Sequence, residues 1–167
     1  MEDLKIQRVV GVDPGTLKMG YGVLEVHDDS VHVIDYGVLK ASASLTLEQR
    51  LGRLFQTLLE RLTIWQPTSI AVEEPFVGQN PRTSLSIGRA QTVVLLAAQQ
   101  MGIPVQRHTP TQVKASLTDY GRGSKEQVQQ MVKLVLGISA PLPPDAADAL
   151  AVALTHLRNK RSNWEEL

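Results

Sequence analysis

Apolar residues recur along this chain with two periods, and the switches between them mark out strands and helices. Residues 8–12 (RVVGV) form a short valine-rich run halted at Asp13-Pro14-Gly15, the pattern of a buried strand stopped by a turn. Segments 20–26 and 31–39 are also β-rich and are separated by only His27-Asp28-Asp29-Ser30, which predicts an antiparallel meander. Over 45–64 the leucines at 47, 51, 54, 58, 59 and 62 fall at helical spacing, and Pro67 lies just past the end. Ser69-Ile70-Ala71-Val72 is a second wholly apolar strand, ending at Glu73-Glu74-Pro75. Pro81 opens a helix to about residue 101, and its stretch 93–98 is apolar all round. Such a helix needs cover on both sides, from the sheet and, as the natural candidate, from a second copy of the chain. A short strand over 103–108 follows, then a helix starting at Thr109-Pro110 and another N-capped by Ser124. Pro143-Pro144 lead into a last helix over about 145–157. Strands first, then helix–strand alternation, predict an α/β domain with a mixed sheet flanked by helices.

No repeat, low-complexity tract or long linker interrupts this pattern, so a single domain over 1–167 is expected. Its core should span about 8–158, and the tail 159–167, which lacks periodicity, is expected to fray. At 167 residues, 43% apolar and 20% charged, the chain can bury a sizeable core and is not disordered. The absence of cysteine excludes disulfides, thiolate metal sites and a cysteine nucleophile. No apolar stretch approaches the roughly 20 residues of a membrane span, and the N-terminus has no signal-peptide pattern. A cytoplasmic protein without membrane contact is expected.

Charge changes the picture only when it is mapped. The chain balances 17 basic against 17 acidic residues, which on its face disfavours a polyanionic partner. The balance is uneven, however. Residues 75–144 carry seven basic side chains and only Asp119 and Glu126, whereas residues 1–74 carry seven basic and eleven acidic ones. Arg82, Arg89 and Arg122 lie in the basic stretch and are candidate nucleic-acid contacts from charge alone.

Four acids stand apart from ordinary surface charge. Asp13 and Glu73 each end an apolar strand, and the helix between those strands makes them parallel. Both carboxylates then emerge at the carboxyl edge of the sheet, where open α/β sheets bind ligands. Asp145 and Asp148 are i,i+3 neighbours at the start of an alanine-rich helix. Alone, an aspartate placed like Asp145 is a helix N-cap more often than a metal ligand, and Asp13 with Pro14-Gly15 also reads as a strand-to-turn stop. Taken together, the four fit oxygen ligands for hard divalent cations, Mg²⁺ or Mn²⁺. Two such ions roughly 3.5–4 Å apart activate water and stabilise a leaving oxygen at a phosphodiester.

The motifs GVDPGT (11–16), GYGV (20–23), AVEEPF (71–76), TQVK (111–114), KEQVQQMV (125–132) and DAADALAVALTH (145–156), in this order, resemble the RuvC family of bacterial Holliday junction resolvases. The resemblance covers roughly residues 8–158. It implies a ribonuclease H-like fold with a five-stranded sheet, a homodimer, and two Mg²⁺ or Mn²⁺ ions per subunit. It also implies paired symmetric nicks across four-way junction DNA, in recombination and repair, leaving 5′-phosphate ends, with the RuvAB branch-migration complex as partner. By the same resemblance Asp13, Glu73, Asp145 and Asp148 are the catalytic metal ligands. Lys114 and Lys125 contact DNA near the scissile phosphate, and Phe76 pushes into bases at the crossover. Glu74 stands where many relatives carry glutamine, so it is an alternative to Glu73 as ligand. His108 and His156 read as structural. Competing readings are a non-catalytic junction-binding or RNA-processing factor, a nuclease for RNA–DNA hybrids, and a nucleotide-binding module.

Overall fold

A computed structural model describes residues 6–28, 30–74, 80–118 and 121–165. The strands are β1 (Gln7–Asp13), β2 (Lys18–His27), β3 (Ser30–Lys40), β4 (Ser69–Glu73) and β5 (Val105–His108). The helices are α1 (Leu47–Trp65), α2 (Pro81–Met101), α3 (Pro110–Leu117), α4 (Lys125–Leu136) and α5 (Pro144–Glu165). The sheet runs β3-β2-β1-β4-β5. β1, β2 and β3 form the expected antiparallel meander, while β4 joins β1 and β5 joins β4 in parallel.

Local chemistry sets most boundaries. α1, α3 and α4 each begin at a capping box, Thr46 with Gln49, Thr109 with Gln112 and Ser124 with Gln127. Asn80 caps α2 by accepting from the amides of Arg82 and Thr83, with Pro81 at the first helical position. β5 begins two residues later than the sequence pattern suggests. Pro104 has no N–H for the ladder, although its carbonyl still accepts from the Ile70 amide at 2.9 Å. α5 runs eight residues beyond the predicted end at Leu157. Its start also differs from the capping alternative, since Asp145 lies within the first turn and not ahead of it.

The two faces of the sheet are covered differently. One face packs Val10, Val12, Ile70 and Val72 against α1 and α2, with Leu54, Leu58, Leu62 and Trp65 at the centre. The apolar half of α2 is therefore covered by α1 as well as by the sheet. What α2 turns outward is a stripe holding Leu85 and Leu96, 55% and 56% exposed. The other face packs Val9, Leu24 and Ala71 against α5, with α3 and α4 beyond it. Among the described residues no helix is long and apolar enough to cross a membrane.

Candidate active site

Parallel pairing brings the first two acids together. Val9 to Val12 of β1 stand opposite Ser69 to Val72 of β4, so Asp13 and Glu73 occupy the next register position at one edge. Alternation along a strand then decides the face. Val12 and Val72 enter the α1–α2 core while Ala71 packs under α5, so Asp13 and Glu73 project toward α5.

α5 reaches them because glycine leaves room. Gly20 pairs with Asp13 across β1 and β2, and a Cβ at Gly20 would overlap the Asp145 carbonyl. A Cβ at Gly11 would overlap the carbonyl of Ala149, and one at Gly22 the Leu150 side chain. The helix backbone thus rests directly on the sheet, which sets Asp145 and Asp148 beside Asp13. A further bond ties the turn after Asp13 to the start of α2, with Thr16 Oγ1 and Ser86 Oγ 3.3 Å apart.

The electrostatics of the cluster follow from this geometry. Burial pushes the Asp13 carboxyl up to about 7, helped by the charges of Asp148, Glu73 and Asp145, while Lys125 opposes the shift. Burial and Asp148 also raise Glu73, against Lys125 and Lys114. Glu74, by contrast, is exposed, and its amide is spent on the His108 carbonyl at 2.8 Å. Of the two glutamates, Glu73 is the one that faces the other acids.

Two lysines complete the cleft. Lys125 Nζ lies 2.9 Å from Asp148 Oδ2, and that bond raises the Lys125 pKa. Lys125 is the first residue of α4, at the positive end of the helix dipole, where a cation is disfavoured by about 0.3–1 kcal/mol. Asp148 offsets that cost. Lys114, five residues into α3, lines the same cleft of about 250 Å³ with Glu73, Asp148 and an apolar floor of Pro110, Val113, Val128 and Ala151. A larger depression of about 480 Å³ lies on the far side of α4, lined by Arg122, Gln127 and Leu134, with no acid among its described lining residues.

The donor chemistry fits hard divalent cations, since buried like charges need positive charge nearby to stay ionised. The side chains converge without closing. Among the described residues no three Asp, Glu or His groups share one ion position, and Asp148 is turned to Lys125. Of the remaining predicted residues, Arg82 and Arg89 are exposed on α2, and Arg122 is exposed ahead of α4. Phe76 lies outside the described residues.

Comparison with known proteins now decides the family. Residues 9–156 match the model of the family described as crossover junction endodeoxyribonuclease RuvC. The chain belongs to the RuvC family. A RuvC relative from Roseiflexus, named crossover junction endodeoxyribonuclease, is 46% identical over 150 residues, covering 89% of each chain. The structure of Thermus thermophilus RuvC in complex with Holliday junction substrate superposes with a TM-score of 0.87. It is 36% identical, and the match covers 94% of this chain and 96% of that one. The yeast mitochondrial resolvase Ydc2, at 14% identity and a TM-score of 0.63 over 95% of this chain and 86% of its own, shares the fold. The ribonuclease H-like architecture implied by the RuvC motifs is therefore present.

Sequence reasoning missed the seats beneath α5. Gly11, Gly20 and Gly22 were visible as motif letters, but only the packing shows that each faces helix backbone or Leu150. Likewise nothing in the spacing announced the Lys125–Asp148 pair, which joins two helices in three dimensions.

Proposed function

We propose that this chain resolves four-way DNA junctions by paired symmetric nicks, through metal-assisted phosphodiester hydrolysis at Asp13, Glu73, Asp145 and Asp148. One observation carries this reading. A carboxylate at a sheet edge, Asp13, is half-buried beside three other acids and Lys125, and its pKa is driven to about 7. A protein that only bound DNA would gain nothing from acids gathered under a phosphate.

Two Mg²⁺ or Mn²⁺ ions held by these carboxylates would supply Lewis-acid activation of water and stabilisation of the departing 3′ oxygen. The chain's own groups do the rest. Asp13 and Glu73 sit on rigid strand ends, which fixes their oxygens before substrate arrives. Asp145 and Asp148 ride on α5 as one unit. Lys114 and Lys125 place positive charge at the mouth of the cleft, where it offsets charge building on the phosphate. Arg82, Arg89 and Arg122 are exposed basic side chains outside that cleft that would meet the more distant DNA backbone, and Phe76 supplies the wedge at the crossover.

Paired nicks require two sites, so a homodimer is part of the reading, and the outward stripe of α2 with Leu85 and Leu96 suits its interface. Delivery of junctions by the RuvAB complex, in the cytoplasm, follows from the same family reading.

The test compares a synthetic four-way junction, a linear duplex and an RNA–DNA hybrid, each with Mg²⁺, Mn²⁺ or chelator. Metal-dependent cutting confined to the junction is expected. Asp148→Asn should retain junction binding while losing at least about a hundredfold in cleavage rate. Cutting of the hybrid would assign the site to another substrate, and near wild-type cutting by Asp148→Asn would sink the carboxylate assignment.

A further inference from the structure

Three buried polar side chains sit apart from the carboxylates yet join the elements that carry them. Ser69 opens β4, His108 closes β5 and His156 lies on α5, and all three are less than a tenth exposed. His156 Nε2 is 3.1 Å from Ser69 Oγ, and its Nδ1 is 3.4 Å from His108 Nε2. The two rings meet edge to face with centroids 5.5 Å apart.

Burial lowers both histidines, and for His156, with Lys160 and His108 adding to the effect, the pKa falls to about 4. Both imidazoles are therefore neutral near pH 7, and each carries a single N–H. One of those hydrogens must lie between the rings. The bonds can then run in only two directions. Either Ser69 donates to His156 and His156 to His108, or His108 donates to His156 and His156 to Ser69.

Their placement gives the bonds a use. His108 is the register partner of Glu73, and its carbonyl receives the amide of Glu74. The chain of bonds therefore grips α5 from the start of β4 and from the level of Glu73. Close by, α5 rests on the sheet through small, smooth residues, Ala149 and Ala153 over Gly11. Apolar contact of that kind has no directional preference, whereas hydrogen bonds fix a position along the axis.

We infer that Ser69, His156 and His108 are positioning residues that lock α5 along β4 and β5, and so set the separation of Asp148 from Glu73. This rests on the four carboxylates being the metal site. None of the three touches the cleft.

Mn²⁺ binding to the DNA-free protein, followed by electron paramagnetic resonance, tests it alongside thermal midpoints and junction affinity in chelator. His156→Leu removes both bonds and should weaken Mn²⁺ binding by about tenfold, the range seen when supports behind metal ligands are lost. His156→Asn keeps a polar partner for His108 and should restore most of that loss, with junction affinity unchanged in both. Ser69→Ala should also shift the ring-nitrogen NMR signals of His108, which it does not touch, because the direction of the bonds is shared. It carries both readouts if His156→Leu does not fold. Wild-type Mn²⁺ affinity in His156→Leu, or an unmoved His108 ring in Ser69→Ala, overturns the inference. Asp148→Asn separates the two levels. If it too binds Mn²⁺ normally the carboxylate assignment fails, and if it alone loses binding only the histidine inference fails.

Discussion

The two faces of the sheet are built to different ends. Toward α1 and α2 the contact is made by large side chains: Leu54, Leu58, Leu62, and Trp65 stacked against Tyr21 with ring centroids 4.8 Å apart. Toward α5 the sheet offers Gly11, Gly20 and Gly22, over which Ala149, Asp145 and Leu150 pass closely, with Leu154 and Leu157 buried alongside. Both faces bury leucines and gain stability from it, but only the second has glycines where a helix crosses the sheet. The second face gives up volume and gains proximity, which delivers two aspartates to within electrostatic reach of two strand-end acids. Both sides hold the fold together, and placement of the acids falls to one of them.

Substitutions should separate those two properties. The largest effect is expected from Leu58→Ala, which empties a fully buried position and should cost about 2–5 kcal/mol in chemical unfolding. Cleavage per folded molecule should survive, and parallel loss of specific activity would show that the faces are not independent. Gly20→Ala attacks the other side. Its added methyl would push α5 away from β2 at Asp145, and misplacement of this order costs about a hundredfold in rate. Single-turnover junction cleavage measures it, and an active Gly20→Ala enzyme would remove the glycine seat from the mechanism.

A subtler contrast lies in pH. Asp13 is raised in the folded chain above its ordinary value, so its protonated form favours folding. That contribution is complete below about pH 4 and is lost as pH climbs through about 7, with Glu73 acting in the same direction. In chelator the protein should therefore lose stability across that window, and divalent cations should restore it. Asp13→Asn should flatten the dependence in thermal melts over pH 4–8 while cleavage disappears. A flat wild-type profile would mean that Asp13 and Glu73 are neither desolvated nor repelled by their neighbours. The smallest effect belongs to a position on neither face. Leu134, 76% exposed, should tolerate serine within about 0.5 kcal/mol.

Much of the placement face was legible in the sequence, and the reason is geometric. A charge that ends an apolar run can only sit at a strand end, and a crossover helix between two such runs forces their ends to one edge. Asp13 and Glu73 were therefore readable as a pair, as were Asp145 and Asp148 from their i,i+3 spacing. The bond between Lys125 and Asp148 was not readable, because it depends on how α4 packs on α5 and no local period encodes that. The histidines were read as structural from their position alone. Their partners Ser69 and each other lie 48 to 87 residues apart in sequence, beyond any pattern along the chain. The extension of α5 past Leu157 escaped because the helix there has no apolar stripe to announce it.

The order of the elements has a consequence in time. A domain folds as a unit, and one face of this one is covered only when its last helix is present. Asp145 and Asp148 lie in the last helix, so they are the final members of the acidic cluster to be synthesised. An unfinished chain lacks half of the proposed ligand set. Cutting power arrives only with the last helix, which withholds a hazardous activity until the scaffold that disciplines it is complete.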